Sequence, residues 1–260
     1  KTAKNFRVGG AFQLKYPDMA TSAIQMIYAK NVVTRTVQGT FQELSFALRV
    51  RNVGFGKRVA VRWCGEDGAW REIPAEYRAP LPDGDETWVA ETAVPLTKHA
   101  AIPGNIQFAA YVEHDGQTHW DSRHGQNYQS DADSGVIVFE PTDVRVVGCA
   151  PRLPDGLLSL PLEIAVRQDT EPEAVTVHWT TDGWNTRRAA PAYFRRHHWD
   201  RTCGSNARNP NRYGWAVWAA RLPLRHAYRV EFAVECRTKR GVVWDNRGGL
   251  NYRAQHGTLK

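Results

Sequence analysis

A fixed-offset internal repeat constrains this chain more than any other feature. Phe108-Ala-Ala-Tyr and Trp120-Asp-Ser-Arg-His-Gly-Gln-Asn-Tyr128 return as Phe232-Ala-Val-Glu and Trp244-Asp-Asn-Arg-Gly-Gly-Leu-Asn-Tyr252, with one offset of 124 residues at Phe, Trp, Asp, Gly, Asn and Tyr. Upstream, Val59-x-Val61-x-Trp63 is answered by Val175-x-Val177-x-Trp179 at an offset of 116. Each of these blocks runs into an acidic turn and a second Trp, Glu66-Asp-Gly-Ala-Trp70 in one copy and Asp182-Gly-Trp184 in the other. The change from 116 to 124 puts an insertion of 8 residues in the second copy, and the sequence predicts it as an exposed Arg-rich excursion between Trp184 and Trp215. A repeat unit of about 110–125 residues is the size of a domain, so two tandem domains are expected.

Within each copy the period is two. Leu44, Phe46, Leu48 and Val50 alternate with Ser45, Ala47, Arg49 and Arg51, and Ile106, Phe108, Ala110 and Val112 alternate with Gln107, Ala109, Tyr111 and Glu113. Such alternation belongs to antiparallel strands with one face on a core and the other in water. Turn signals separate the runs at Pro82-Asp-Gly-Asp85, Asp115-Gly116, Asp182-Gly183 and Lys239-Arg-Gly241. The expected fold class is therefore all-β, with two tandem antiparallel β-sandwiches of immunoglobulin-like type. Residues 1–30 are read as an N-terminal arm or first strand, 31–140 as the first sandwich and 141–260 as the second, with the boundary near Pro141. Trp63 and Trp179 fall in phase with strand valines and are expected in the cores.

Charge is divided between the halves. Residues 1–140 carry 15 Lys+Arg against 16 Asp+Glu, whereas residues 141–260 carry 19 against 11, and 17 of those 19 cations are Arg. Seven of the arginines lie between Arg187 and Arg212, interleaved with Tyr193, Phe194 and Trp199. No apolar run approaches the length of a membrane-spanning helix, about 18 residues. The four cysteines, Cys64, Cys149, Cys203 and Cys236, form no C-x-x-C pair, and buried free thiols are favoured over one or two disulfides. Beginning at Lys1 without a secretory signal, the chain reads as processed or excised from a longer one, with secreted and cytoplasmic locations both open.

Catalysis finds little support. His197-His198 is the only His pair, sits in a polar Arg-rich stretch and reads as two solvated loop histidines. Carboxylates stand singly in turns, and neither a Gly-rich phosphate loop nor a nucleophile elbow is present. No enzymatic activity, metal or cofactor is expected. What each copy does carry is a Trp in a turn (Trp70, Trp184) and a Trp opening an Asp/Asn/Gly loop (Trp120, Trp244). Flat rings suit the C–H face of a pyranose, and neighbouring Asp and Asn side chains can meet its hydroxyls. The residues equally fit rings folded onto a sandwich edge with Asp121 and Asp245 capping turns.

The combined blocks resemble the starch- and glycogen-binding modules of carbohydrate-binding family 21, which include glycogen-targeting subunits of protein phosphatase 1 and the starch-binding domain of fungal glucoamylase. Arg49-Val-Arg-Asn-Val-Gly-Phe-Gly-Lys57 and Val59-Ala-Val-Arg-Trp63 also match that family's opening blocks. The resemblance covers residues 40–128 well and 160–252 more weakly. It implies non-catalytic binding of α-1,4-glucan. In the first copy the main platform falls on Trp70 and Trp120, with Asp121, Ser122 and Asn127 beside them. In the second it falls on Trp184 and Trp244, with Asp245, Asn246 and Asn251. A further platform aromatic of the family is absent, Ala109 and Ala233 standing in its place. A second face is implied at Phe55 with Tyr77, and not in the second copy, where Glu171 occupies the Phe55 position.

Two rival readings accompany this one. The first is a scaffold that docks a phosphatase or other enzyme onto glycogen; Arg229-Val-Glu-Phe232 fits a phosphatase docking motif, but Phe232 is the repeat mate of Phe108 and is expected in a core. The second is binding of an anionic glycan, or less favourably nucleic acid, through residues 187–212. No membrane partner is expected.

Overall fold

The computed structural model describes residues 22–150, 153, 156, 158–224 and 227–256. The arm expected at the N-terminus lies, up to residue 21, outside the described residues. Ten strands form the first sandwich: β1 (Ile24–Thr36), β2 (Gly39–Val50), β3 (Arg58–Cys64), β4 (Trp70–Pro74), β5 (Glu76–Pro80), β6 (Glu86–Pro95), β7 (Ile106–His114), β8 (Gln117–Asp121), β9 (Tyr128–Ser130) and β10 (Gly135–Val138). The second is built from β11 (Val144–Cys149), β12 (Ser159–Arg167), β13 (Pro172–Thr180), β14 (Arg188–Pro191), β15 (Tyr193–Phe194), β16 (Trp215–Pro223), β17 (Arg229–Thr238), β18 (Gly241–Asp245) and β19 (Tyr252–Gln255), with helix α1 (His198–Cys203) between β15 and β16.

All pairings are antiparallel. In the first sandwich, one sheet runs β10-β1-β2-β6-β5 and faces another running β4-β3-β7-β8, with β9 also on β7. In the second, β11-β12-β16-β15 faces β14-β13-β17-β18, with β19 also on β17. The alternating residues do what their period requires. Leu44, Phe46, Leu48 and Val50 pack against Val59, Val61, Trp63, Phe108 and Val112, and the Phe46 and Phe108 rings lie 4.9 Å apart. Leu160, Leu162, Ile164 and Val166 meet Val175, Val177, Trp179, Phe232 and Val234 in the second core. Trp63 and Trp179 are buried. All four cysteines are free thiols.

The outer face of the β1–β2 sheet departs from the expectation of water on one side. A third core lies between this sheet and β11-β12-β16, formed by Tyr28, Val32, Ala47, Val138, Val147, Ala165 and Val217 around Trp199 and Trp215. Ala47 and Ala165, small residues at outward positions, let the two backbones approach. All four residues of β10 are buried, as a continuous Gly-Val-Ile-Val run covered on both faces should be. The two sandwiches therefore stack as four consecutive sheets around three cores.

The insertion is the plug of this third core, which corrects the expected exposed excursion. Trp199 and His198 of α1 are 2% and 4% exposed. His198 Nε2 lies 3.1 Å from Glu163 Oε1, whose partner oxygen takes Lys30 Nζ at 2.9 Å, and Lys30 rides 5.0 Å above the Trp199 ring. His198 is thus a buried partner of the Glu163 that crosses to Lys30 of the first sandwich, and not a solvated loop histidine. Gly204 ends α1 at φ 60, and a Cβ there would collide with the Arg35 carbonyl of the first sandwich. Asp133 Oδ1 accepts from Val33 N at 2.6 Å and from Ser205 Oγ at 2.8 Å, tying the plug to β1. Ala192, Trp199, Ser205 and Ala207 of the insertion face inward, whereas Tyr193, Phe194, Arg195, Arg196, Arg201 and Arg208 remain at the surface.

Burial opposes ionisation of Glu163, but the His198 hydrogen bond and the Lys30 charge outweigh it and hold its carboxyl down at about 2. That is below the ordinary Glu value of about 4.3, so its stabilising contribution is complete above about pH 5 and is lost as pH falls toward 2. Urea midpoints measured at pH 6 and pH 3 should show this loss, and Glu163→Gln should flatten it. Trp199→Ala removes the more deeply buried of the two indoles of the shared core. It should cost about 3–5 kcal/mol and split one unfolding transition into two, read by calorimetry.

Candidate functional site

The Trp-Asp pair of each repeat sits at the end of an edge strand, and the period of two sends its members to opposite faces. Asp245 turns inward and is 5% exposed. Its Oδ2 accepts from the backbone N–H of Val146 at 2.7 Å and from the Tyr252 hydroxyl at 2.7 Å. Asp121 repeats this arrangement, taking Met26 N at 2.6 Å and Tyr128 Oη at 2.9 Å. Met26 and Val146 each stand at a β-bulge, in β1 and β11, where the ladder leaves an N–H free. Burial and the adjacent Asp push both tyrosine hydroxyls far above their ordinary range, so they remain donors. Tyr128 stacks on Phe108 and Tyr252 on Phe232. Asp121 and Asp245 are thereby corrected from expected sugar contacts to clasps joining the two sheets of each sandwich.

Because the aspartates point in, Trp120 and Trp244 point out, 50% and 44% exposed. In the second sandwich Trp244 meets the His178 ring at 5.2 Å. His178 is held by Glu235 Oε2 at 2.9 Å and by Arg187 Nη2 at 3.1 Å. Trp184 stands at φ 72 in the β13–β14 turn, a left-handed conformation that an aromatic residue adopts only under constraint. The constraint is local. Thr180 Oγ1 takes the Trp184 N–H at 3.1 Å and donates to Asp182 Oδ1 at 2.6 Å, while the Trp184 indole donates to Glu231 Oε2 at 3.0 Å. The hydroxyl of Thr180 and the backbone N–H of Thr186 hold the Asp182 carboxyl down at about 2.

The result is an open pocket of 460 Å³ on the outer sheet face, lined by His178, Trp184, Arg187, Ala233, Trp244, Asn246 and Asn251. Four of the expected second-copy residues are brought together there. His178 and Arg187 were missed in the sequence, although His178 sits at an outward position between Val177 and Trp179. Asn251 at φ 57 donates its N–H to Asn246 O, as Asn127 at φ 58 does to Ser122 O, each at 2.8 Å. Asn246 Oδ1 accepts from Gly249 N at 3.0 Å, and Ser122 Oγ from Gly125 N at 3.1 Å, so the Ser preserves the loop cap.

In the first sandwich Trp70 and Trp120 share the outer face without meeting. Trp70 pairs across to Cys64, whereas Trp120 pairs to Tyr111, which is opposite Ala60. Four residues along the strand and three strand spacings across place their Cα atoms about 20 Å apart, which separates the two residues of the single platform expected there. Trp120 instead packs on Tyr111 at 4.8 Å, and the Tyr111 hydroxyl donates to Glu72 at 2.9 Å. Phe55 is fully exposed on the β2–β3 turn, and Tyr77, half exposed, meets Trp88 edge-on at 5.9 Å. Glu171, at the corresponding place in the second sandwich, is paired with Lys239.

Fold and pocket together define a double β-sandwich protein with exposed tryptophans on its outer sheets. The chain is similar to the carbohydrate-binding modules of family 21. It is 28% identical over 83 residues to protein phosphatase 1 regulatory subunit 3B of Homo sapiens, a match covering 32% of this chain and 29% of that protein, and so spans less than a third of that relative. Among solved structures it is similar to the starch-binding domain of Rhizopus oryzae glucoamylase in complex with beta-cyclodextrin and maltoheptaose, at TM-score 0.34 and 19% identity, covering 45% of this chain and 100% of that one. It is also similar to the carbohydrate binding module of the muscle glycogen-targeting subunit of protein phosphatase 1, at TM-score 0.31 and 20% identity, covering 51% of this chain and 96% of that one. No family model matches the chain.

The clasp generates a stability prediction. Asp245→Ala leaves the Val146 N–H and the Tyr252 hydroxyl without their acceptor, and Arg145 with Glu140 as its remaining carboxylate, and should cost about 3–5 kcal/mol in urea unfolding. Tyr252→Phe, which removes one hydrogen bond to a charged acceptor, should cost about 1.5–3 kcal/mol.

Proposed function

We propose that this protein binds α-1,4-glucan (starch, glycogen or malto-oligosaccharides) without catalysis, through aromatic faces on both sandwiches. The observation that carries the reading is the pocket in which Trp184 and Trp244 stand with Asn246 and Asn251. Indole faces supply apolar area for pyranose C–H groups, and amide groups supply donors and acceptors at the rim. Trp70 and Trp120 form two separate stacking points of the first sandwich, and Phe55 with Tyr77 a further face. The curated relative supports the non-catalytic reading, since it is by name a regulatory subunit. That name also favours a partner enzyme. Phe232 has 0% exposure in β17, so Arg229-Val-Glu-Phe232 is packed as a strand and such a partner would dock elsewhere.

The intact chain should be retained on insoluble starch and released by β-cyclodextrin, with retention insensitive to salt because stacking is not charge-driven. Trp244→Ala should lose about 1–3 kcal/mol of affinity at its site, as aromatic anchors do. Full retention by a Trp120→Ala/Trp244→Ala double variant would remove the reading.

A further inference from the structure

Two of the arginines in the insertion flank a groove that the proposed glucan platform does not use. The groove measures 1040 Å³ and lies between Phe194 of edge strand β15 and the turn that follows α1. That is at the upper end of small-ligand sites, about 300–1,000 Å³, and enough for a short oligosaccharide. Its walls are fixed by Asn209, 3% exposed, whose Nδ2 donates to Arg195 O at 2.8 Å and Val217 O at 2.9 Å while its Oδ1 accepts from Val217 N at 2.7 Å. A groove framed this way is preorganised.

Three features of the lining point to a ligand. Arg196 and Arg208 have no carboxylate partner among the described residues, unlike Arg212, which pairs with Asp131. The amide Nε2 of Gln168, a lining residue, has no hydrogen-bond partner and is closed to solvent, so turning the side chain into the groove would let a ligand oxygen satisfy it. Phe194, 39% exposed and packed 5.9 Å from Trp218, offers an apolar ring surface. We infer that this groove is a second saccharide site, which takes a short acidic oligosaccharide with its anionic group between Arg196 and Arg208 and a sugar ring against Phe194. A carboxylate between two guanidinia gains charge-assisted, bidentate hydrogen bonds. The lining also includes Asp200. Two guanidinia opposed by one carboxylate suit a sparsely charged sugar better than a nucleic-acid strand, whose regularly spaced phosphates need a cationic track.

The site is independent of the glucan reading and is tested separately from it. Calorimetry on the intact chain at low salt, with sialyllactose, which carries a single carboxylate, as probe, should show binding that excess maltoheptaose does not displace. Arg196→Gln/Arg208→Gln should weaken it by at least about tenfold, since two charge-assisted contacts are lost. Gln168→Ala should weaken it less. Trp244→Ala should leave it unchanged, and the arginine double variant should keep its melting temperature and its starch retention. Absence of binding to the intact chain, equal binding by the double variant, or tighter binding of an eight-nucleotide oligothymidylate would each overturn the inference.

Discussion

One inward-turned carboxylate per sandwich sets the geometry of everything outside it. Asp121 and Asp245 each hold a bulge N–H of the facing sheet and a tyrosine hydroxyl of their own. A strand cannot turn two successive side chains the same way, so an aspartate anchored inward makes its preceding tryptophan face outward. The clasp also fixes the loop behind it, because Tyr128 and Tyr252 are stacked on core phenylalanines while Asn127 and Asn251 close the turn in left-handed conformations. Stability and surface chemistry are therefore coupled within a single dipeptide.

The third core extends this logic to the whole molecule. Since the β1–β2 sheet packs on the β11–β12–β16 sheet, the sheets that carry the exposed Trp70, Trp120 and Trp244 are the outermost of the four layers. With about 10 Å between packed sheets, the two aromatic faces lie roughly 30 Å apart and point in opposite directions. A short oligosaccharide cannot reach both. Under the proposed function, gain from two faces comes from a polymer or branched granule that presents several chains at once. The plug of Trp199 and the Lys30–Glu163–His198 contacts hold that disposition.

Much of this was legible in the residues. The fixed offset marked the tandem strands, the period of two separated Phe46 and Phe108 from their outward neighbours, and the valine phase assigned Trp63 and Trp179 to cores. Asp121 and Asp245 were misread because an Asp beside an exposed Trp suits a sugar hydroxyl as well as a backbone N–H, and the bulge it serves is some 95–99 residues away. The insertion was misread for a related reason: its arginines signal solvent, while Lys30, which lies over the Trp199 ring, and the Arg35 carbonyl beside Gly204 belong to the other sandwich. The unbroken apolar run Val136-Ile-Val138 was the available sign that the outward face is covered. Separation of Trp70 from Trp120 follows from register, which local patterns do not fix.

The most direct measurement is a crystal structure of the chain grown with maltoheptaose. The account predicts glucosyl rings lying on Trp184 and Trp244 with hydroxyls against Asn246 and Asn251, and both clasp aspartates still turned inward to Val146 and Met26. Sugar bound away from Trp70, Trp120, Trp184 and Trp244, or an aspartate swung out to contact it, would contradict the account.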